Sequence, residues 1–354
     1  MSLDFTYQPS PQRIVFGSGT LTQVAAEAGR LGITRAMVLS TPGKTSLAED
    51  VAGHLGDRCA AILPTARMHT PVEVTDEAMT TVEAERIDGL VAIGGGSTTG
   101  LGKAIAYRTD LPQLVLPTTY SGSELTDILG QTEDGEKTTI RDARVLPETV
   151  VYDVGLTLCL PVAVSVTSAM NAMAHAVEGL YAPNSNPILA LMAEEGIRAL
   201  GAAIPGIVKS GADEAPRGEA LYGAWLCGTV LGGTSMALHH KLCHVLGGSF
   251  GLPHAETHTV ILPHAAAYNA AAAPDAMAAV ARALGADDAP TALFDLAKNA
   301  GAPTALRDIG MSEDGLERAA EIATANPYPN PRGLERDAIR KLLDDAWHGR
   351  RPGA

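Results

Sequence analysis

Histidines are concentrated in one short segment of this chain, because residues 239–254 hold four of the ten. His240 and His244 are four residues apart, so on a helix they share one face. The glycines and the proline that follow would turn the chain and bring His254 back towards that face. Clustered imidazoles of this kind are typical of a metal site or a proton-transfer site.

A second segment repeats the four-residue spacing. Asn171 and His175 would share one helix face, and Glu178 follows within one further turn. Glu178 either orients His175 as a hydrogen-bond partner or is an ordinary surface carboxylate, and the sequence leaves both interpretations open. Cys243, which lies between the histidines, is interpreted as a buried packing residue without chemistry.

A glycine-rich run and a hydroxyl-rich run indicate a nucleotide site. Gly94 to Ser97 follows an apolar strand pattern and precedes a helical one, so its backbone N–H groups could bind a pyrophosphate. The alternative is a tight turn that merely needs glycine. Pro117 to Ser123 leaves the end of another predicted strand and supplies hydroxyl groups. Two such loops at neighbouring strand ends would form a binding crevice.

The elements that must position these residues follow from the hydrophobic pattern. Apolar runs predict strands at residues 36–40, 89–93, 114–117 and 149–153, and helical spacing predicts helices at residues 18–31, 46–55 and 73–86. This alternation is typical of a parallel sheet covered by helices. We therefore expect an α/β, Rossmann-like dinucleotide-binding domain over residues 1–158. A hairpin centred on Asp134-Gly135 is expected from Thr132 to Arg144.

The remaining residues, 159–354, are predicted to form an all-α catalytic domain, because alanine-rich apolar positions recur at helical intervals. The net charge of −14 excludes the basic surface that nucleic acids or anionic membranes require. The first residues lack the pattern of a secretory signal, and the alanine-rich stretch 265–284 is too interrupted by polar residues to span a membrane. These features predict a cytoplasmic protein that acts on a small molecule.

The order and content of these motifs resemble the maleylacetate reductases, a branch of the iron-containing alcohol dehydrogenase superfamily. The resemblance rests on Asn171 to Glu178, His239 to Gly248, Gly94 to Lys103 and Pro117 to Glu124. It implies the dehydroquinate synthase-like fold of that superfamily, with a homodimeric assembly. The family's metal ligands correspond to Asn171, His175, His240 and His254, but the first is an aspartate in the family. Since an amide replaces a carboxylate, we expect no metal, and an ion, if bound, would take those four residues.

The resemblance also implies a nicotinamide cofactor. The cofactor-binding positions would be Gly95, Gly96, Ser97, Lys103, Thr118, Thr119 and Ser123, with Ser40 after the first predicted strand. Gly100 replaces an aspartate of the family pattern, and the loop Tyr120 to Ser123 is one residue shorter than the common version. No acidic residue lies between Leu39 and Lys44 to repel a 2′-phosphate, so we expect NADH as cofactor with NADPH tolerated.

The activity implied is hydride transfer from NAD(P)H to the C=C bond of maleylacetate, giving 3-oxoadipate in the degradation of aromatic compounds. The enolate that forms is a weaker base than an alkoxide, so imidazole hydrogen bonds could stabilise it without a metal. His244 is the expected proton donor, and His258 and His264 are placed outside the site. The expected catalytic residues are His175, His240, His244 and His254, with Lys241, Tyr120 and Arg332 as candidates for holding the dicarboxylate substrate.

Two other functions compete with this interpretation. A metal-dependent alcohol or polyol dehydrogenase of the same superfamily would act on a hydroxyl group, and Asn171 and the short Tyr120 loop argue against it. A non-catalytic protein that binds nucleotide or metal could use the same histidines without turnover. Hydride transfer to an enoate would exclude the last possibility.

Overall fold

The computed structural model describes residues 4–133 and 136–353, which form two compact units. One unit comprises residues 10–160, and the other comprises residues 161–353 together with residues 4–9. The division predicted after residue 158 lies near this boundary, whereas residues 4–9 group with the second unit. Each unit is built differently.

The first unit is an α/β unit around a parallel sheet. Its strands are β1 (Arg13–Gly17), β2 (Ala36–Leu39), β3 (Cys59–Leu63), β4 (Gly89–Gly94), β5 (Gln113–Pro117), β6 (Ile128–Glu133), β7 (Glu136–Arg141) and β8 (Thr149–Asp153). Six of them pair in parallel in the order β1-β8-β5-β4-β2-β3. The predicted fold class is confirmed, and β4 and β5 are neighbours, as the two predicted binding loops require.

The four strands predicted from apolar runs correspond to β2, β4, β5 and β8, while β1 and β3 were not predicted. β1 and β3 are the two edge strands of the sheet. β1 has one buried residue among exposed and partly buried ones, and β3 is only partly buried throughout. An edge strand needs no continuous apolar run, so hydrophobic pattern alone does not reveal it.

Helices cover both faces of the sheet. They are α1 (Val24–Arg30), α2 (Thr45–Leu55), α3 (Val72–Ala84) and α4 (Gly96–Thr109). Successive strand residues point to opposite faces. Val38 and Val91 therefore pack with α1 and α2, whereas Met37 and Leu90 pack with α3 and α4. The three predicted helices are confirmed, although the first begins with a 3-10 turn at Thr20–Gln23.

The predicted hairpin is formed by β6 and β7, which pair antiparallel from Ile128 opposite Arg141 to Glu133 opposite Glu136. It begins four residues before the predicted Thr132. The Asp134-Gly135 dipeptide expected at its turn lies outside the described residues.

The second unit is helical, as predicted. Its helices are α5 (Val162–Leu180), α6 (Pro187–Lys209), α7 (Glu214–Gly233), α8 (Leu238–Phe250), α9 (His254–Asn269), α10 (Pro274–Leu284), α11 (Ala289–Asn299), α12 (Gly315–Thr324) and α13 (Arg336–His348). α5 is buried on nearly every side from Ser165 to Leu180. Among the described residues, every helix is too short or too polar to cross a bilayer.

Candidate active site

Three polar side chains of the central helix α5 are buried. Asn171 and His175 are each 4% exposed, and Glu178 is fully buried. A polar group in such surroundings is stable only if it is paired, and an unpaired charge there would be costly. The structure therefore has to supply partners for Glu178.

Those partners are at the start of α8. The two carboxylate oxygens of Glu178 accept hydrogen bonds from the backbone N–H groups of Ala237 and His239, each at 2.8 Å. Ala237, the N-cap residue of α8, has no side chain that could cap the helix. Glu178 thus caps α8 from another helix, where its negative charge also interacts favourably with the helix dipole.

Glu178 also orients a predicted catalytic residue. Its Oε2 atom lies 2.7 Å from Nδ1 of His240. Burial alone would raise the pKa of Glu178, but the hydrogen bond with His240 and the backbone hydrogen bond from Ala237 help to lower it to about 2. Since the carboxylate is ionised and can only accept, Nδ1 of His240 carries a proton. The Nε2 atom of His240 is left without a partner in the described structure.

From the sequence, Glu178 was expected to be either a hydrogen-bond partner of His175 or a surface carboxylate. Both interpretations were wrong. Glu178 is fully buried and bonds to His240, which is 62 residues further along the chain. No local pattern contains that contact. The available signal was indirect, because a carboxylate one turn beyond two polar positions that share a buried helix face has to find a partner.

The predicted histidines come together in one cluster. The rings of His175 and His240 stack with centroids 5.1 Å apart, and the ring of His244 lies 6.3 Å from that of His240. His254 begins α9 and joins the group through His258, with 4.4 Å between the ring centroids. His244 and His254 are exposed, whereas His175 and His240 are nearly buried. The cluster therefore has an open side and a closed side.

The closed side contains His239 and His258, which were not predicted as site residues. His258 was expected outside the site, but its ring lies 5.0 Å from that of His240 and its Nδ1 atom lies 2.9 Å from Nε2 of His239. The four-residue spacing of His254 and His258 at the start of a helix was the signal that could have identified it. His264, in contrast, packs against Phe294.

Burial keeps the interior of the cluster uncharged. Burial and the neighbouring imidazoles lower the pKa of His175 and that of His258 well below the usual value. The same causes lower the pKa of His239 to about 3. These three rings are therefore neutral near pH 7.

The residues that correspond to the family's metal ligands form a weaker donor set for a divalent cation than one that contains a carboxylate. Asn171 offers a neutral amide oxygen in place of a carboxylate. Among the described residues, one group of three histidine, cysteine or acidic side chains has its ligand atoms within 4.8 Å of one another, and it consists of His239, Cys243 and His258. His175, His240 and His254 do not converge in this way. The buried trio is instead held by hydrogen-bond contacts, with Sγ of Cys243 3.7 Å from Nε2 of His239.

The candidates for substrate binding lie in different places. The ammonium group of Lys241 is 6.0 Å from the ring centre of Tyr328, whose buried hydroxyl has no described partner. Arg332 is exposed and stacks on Tyr268, 4.2 Å from the ring centre. Tyr120 belongs to the α/β unit and is fully buried. Of these candidates, only Lys241 lies on α8, the helix that also carries His240 and His244.

In the α/β unit, the glycine-rich loop ends at the start of α4. Gly95 is the N-cap residue, and the N–H groups of Thr98 and Thr99 bond to its carbonyl oxygen. The preceding N–H groups, of Gly96 and Ser97, have no acceptor in the described structure. The first turn contains no acidic residue. This helix start leaves N–H groups available for an anion, and anion binding here stays a prediction.

The two predicted loops are in contact. The N–H group of Thr118 bonds to the carbonyl oxygen of Gly94 at 2.9 Å. A Cβ atom on Gly95 would lie 2.9 Å from the hydroxyl oxygen of Thr119, so the close approach of the loops requires glycine. Ser40, at the end of β2, is fully buried, and its hydroxyl donates to the carbonyl oxygen of Thr41.

Gly100 occupies the family's aspartate position for a steric reason. A Cβ atom there would lie 2.3 Å from the hydroxyl oxygen of Thr70. Thr70 is itself buried, and its carbonyl oxygen accepts a hydrogen bond from Thr132 of β6. The chain before α3 and the hairpin thus fill the space that a larger side chain would need.

Lys103 is fully buried, and its described hydrogen bonds all go to the second loop and the start of β6. Its ammonium group donates to the carbonyl oxygens of Ser123, Thr126 and Ile128 at 2.7 to 2.9 Å. Burial lowers the pKa of Lys103 to about 7, against the opposing effect of Glu124. The resemblance implies that Lys103 binds the cofactor, whereas these contacts show it holding the loop.

We expect Lys103→Met to lower the free energy of unfolding by about 3 kcal/mol, because three buried carbonyl groups lose their donor. NADH affinity should fall together with stability, since the loop is no longer held. Urea denaturation and cofactor titration measure the two effects. The exposed Lys209→Met is the matched control. Unchanged stability with lost NADH binding would instead indicate that Lys103 contacts the cofactor directly.

Comparisons with known proteins agree with both halves of this description. Residues 11–154 match the iron-containing alcohol dehydrogenase family, and residues 165–347 match the C-terminal part of the Fe-containing alcohol dehydrogenase family. The maleylacetate reductase of Burkholderia cepacia is 57% identical over 350 residues, which cover 98% of this chain and 99% of that protein.

Solved structures give the same result. The maleylacetate reductase of Agrobacterium tumefaciens is 55% identical with a TM-score of 0.97, and the alignment covers 99% of this chain and all of that one. A 1,3-propanediol oxidoreductase is 25% identical with a TM-score of 0.91, over 97% of this chain and 100% of that one. Since the sequence matches cover both units and nearly the whole length, the chain belongs to the iron-containing alcohol dehydrogenase family.

Proposed function

We propose that this oxidoreductase is a maleylacetate reductase, which transfers a hydride from NAD(P)H to the C=C bond of maleylacetate and forms 3-oxoadipate. The observation that carries the proposal is the close relationship to proteins of that name, which are 51–57% identical over nearly the whole chain. The site is consistent with it, because Asn171 occupies the family's aspartate position while the imidazoles remain.

In the proposed reaction, the hydride adds to the carbon β to the ketone and the electron pair moves to the ketone oxygen. His240, whose Nδ1 atom is held by Glu178, forms a hydrogen bond from Nε2 to that oxygen and stabilises the enolate. His244, which is exposed on the same helix, delivers a proton to the adjacent carbon and completes the reduction. His175 and His254 complete the polar wall of the site.

The proposed cofactor is NADH, with NADPH tolerated. The nicotinamide cofactor supplies the hydride, and its pyrophosphate would bind the free N–H groups of Gly96 and Ser97. Its adenine ribose would lie near Ser40, where residues 40–44 contain no carboxylate to repel a 2′-phosphate. Cytoplasmic location, a homodimeric assembly and a role in the degradation of aromatic compounds complete the proposal.

One observation favours a second candidate, a metal-dependent alcohol or polyol dehydrogenase. Oδ1 of Asn171, Nδ1 of His175 and Nε2 of His240 are buried and have no described partner. Atoms that bind a cation would also lack protein partners, and a carboxylate that orients a metal-binding histidine is common. The two candidates differ in their requirement for metal.

We expect protein that has been treated exhaustively with a chelator to oxidise NADH rapidly when maleylacetate is supplied. The reason is that a hydrogen-bonded enolate does not need a Lewis acid. The decrease in NADH absorbance measures the rate, and the same protein with added Zn²⁺ or Fe²⁺ is the comparison. Turnover that returns only with a cation would show that the histidines hold a metal despite Asn171. Turnover of a diol but not of maleylacetate would favour the second candidate.

A further inference from the structure

The helical unit contains a cavity of about 730 Å³ that lies apart from the histidine cluster. It is lined by α9, by α13 and by residues 350–353. Tyr268, one of its lining residues, follows His258 by ten residues on α9, a distance of about 15 Å along the helix. The cavity is therefore a separate site and not an extension of the catalytic one.

Four cationic side chains line this cavity, although the whole chain carries a net charge of −14. Three of them are paired with carboxylates. Lys341 contacts Asp345, Arg350 contacts Asp344 and Asp345, and Arg351 contacts Asp295. Arg332 has no carboxylate partner in the described structure. The cavity thus contains one cation whose charge is not neutralised by a neighbour.

Arg332 is held in a defined orientation. Its guanidinium group stacks on the ring of Tyr268 and donates a long hydrogen bond of 3.5 Å to the carbonyl oxygen of that residue. Most of its five N–H donors remain available for a planar anion such as a carboxylate. The guanidinium therefore provides a polar site for one anionic group.

The rest of the lining includes an apolar surface, formed by Ala267, Ala338 and Leu342. A ligand that matches this surface needs a hydrophobic body in addition to its charge. A single unneutralised cation suits a monoanion, since a phosphate dianion would leave one charge unpaired. The volume is ample for a single aromatic ring with a carboxylate substituent.

We infer that this cavity binds a small aromatic monocarboxylate, with its carboxylate on Arg332 and its ring against Ala267, Ala338 and Leu342. The inference does not depend on the proposed function. It assigns Arg332 to a ligand other than the reductase substrate, although its charge and its proline-rich loop had made it a candidate for holding that substrate.

The test is a titration of the full chain with 4-fluorobenzoate, followed by ¹⁹F NMR. A ligand of this size is expected to bind with a Kd of about 1 mM or tighter. Arg332→Gln should weaken binding at least about tenfold, because it removes the cation. Ala267→Leu should do the same by filling the cavity. Ala267 is exposed, so this variant should fold, and Ala278→Leu, at an exposed alanine of α10, is its control.

A second ligand tests the need for charge. 4-Fluorobenzamide has the same ring without the carboxylate and is expected to bind at least about tenfold more weakly. Equal binding of the amide and the acid would overturn the inference. So would 4-fluorobenzoate binding that is unchanged by Ala267→Leu, since the acid would then occupy another site, or no binding to the unmodified chain.

Discussion

Replacing Glu178 by glutamine is expected to lower kcat about 1000-fold, because the neutral amide can reverse the tautomer of His240. In the native chain the carboxylate accepts from Nδ1 of His240 and leaves Nε2 for the substrate. A glutamine amide can donate to Nδ1 and move the imidazole proton to the other nitrogen. KM for NADH should change little, since the cofactor loops belong to the α/β unit.

A conservative variant and a matched control separate this positioning role from a merely structural one. Glu178→Asp keeps the charge and should recover part of kcat. Glu194→Gln, at the partly exposed carboxylate that pairs with Arg282, is the control. A Glu178→Gln variant with lowered thermal stability but unchanged kcat would show that Glu178 only caps α8.

Replacing Ser97 by aspartate is expected to raise the Kd for NADH about 100-fold, because the new carboxylate lies at the helix start where the pyrophosphate would bind. The same substitution should stabilise the free protein by about 0.3–1 kcal/mol, since a negative charge in the first turn interacts favourably with the helix dipole. Stability and cofactor affinity should therefore change in opposite directions. Cofactor fluorescence and thermal unfolding measure the two quantities.

The matched control is Ser97→Asn, which has nearly the same shape as the aspartate variant but no charge. It should bind NADH within a few-fold of the unmodified chain. If Ser97→Asp binds NADH with unchanged affinity, the start of α4 does not hold the pyrophosphate. If both variants lose affinity equally, the serine hydroxyl itself or the available space determines binding, and charge does not.

The sequence alone was sufficient for the features that depend on local order. Apolar runs identified the central strands β2, β4, β5 and β8, because a strand covered on both faces must be apolar throughout. The four-residue spacing of His240 and His244 placed both imidazoles in one cluster, because i and i+4 share a helix face. The glycine run identified the tight turn between β4 and α4, because it follows an apolar strand pattern and precedes a helical one.

Only the tertiary structure revealed the features that depend on contacts between distant residues. Glu178 meets His240 across 62 residues, and His258 closes the cluster because α9 returns beside α8. Gly100 is required because Thr70 packs against it, and Lys103 is used by carbonyl groups of a later loop. Residue type and spacing determine which chemistry a segment can offer. Which partner satisfies a buried charge is decided by packing, since that partner can come from any part of the chain.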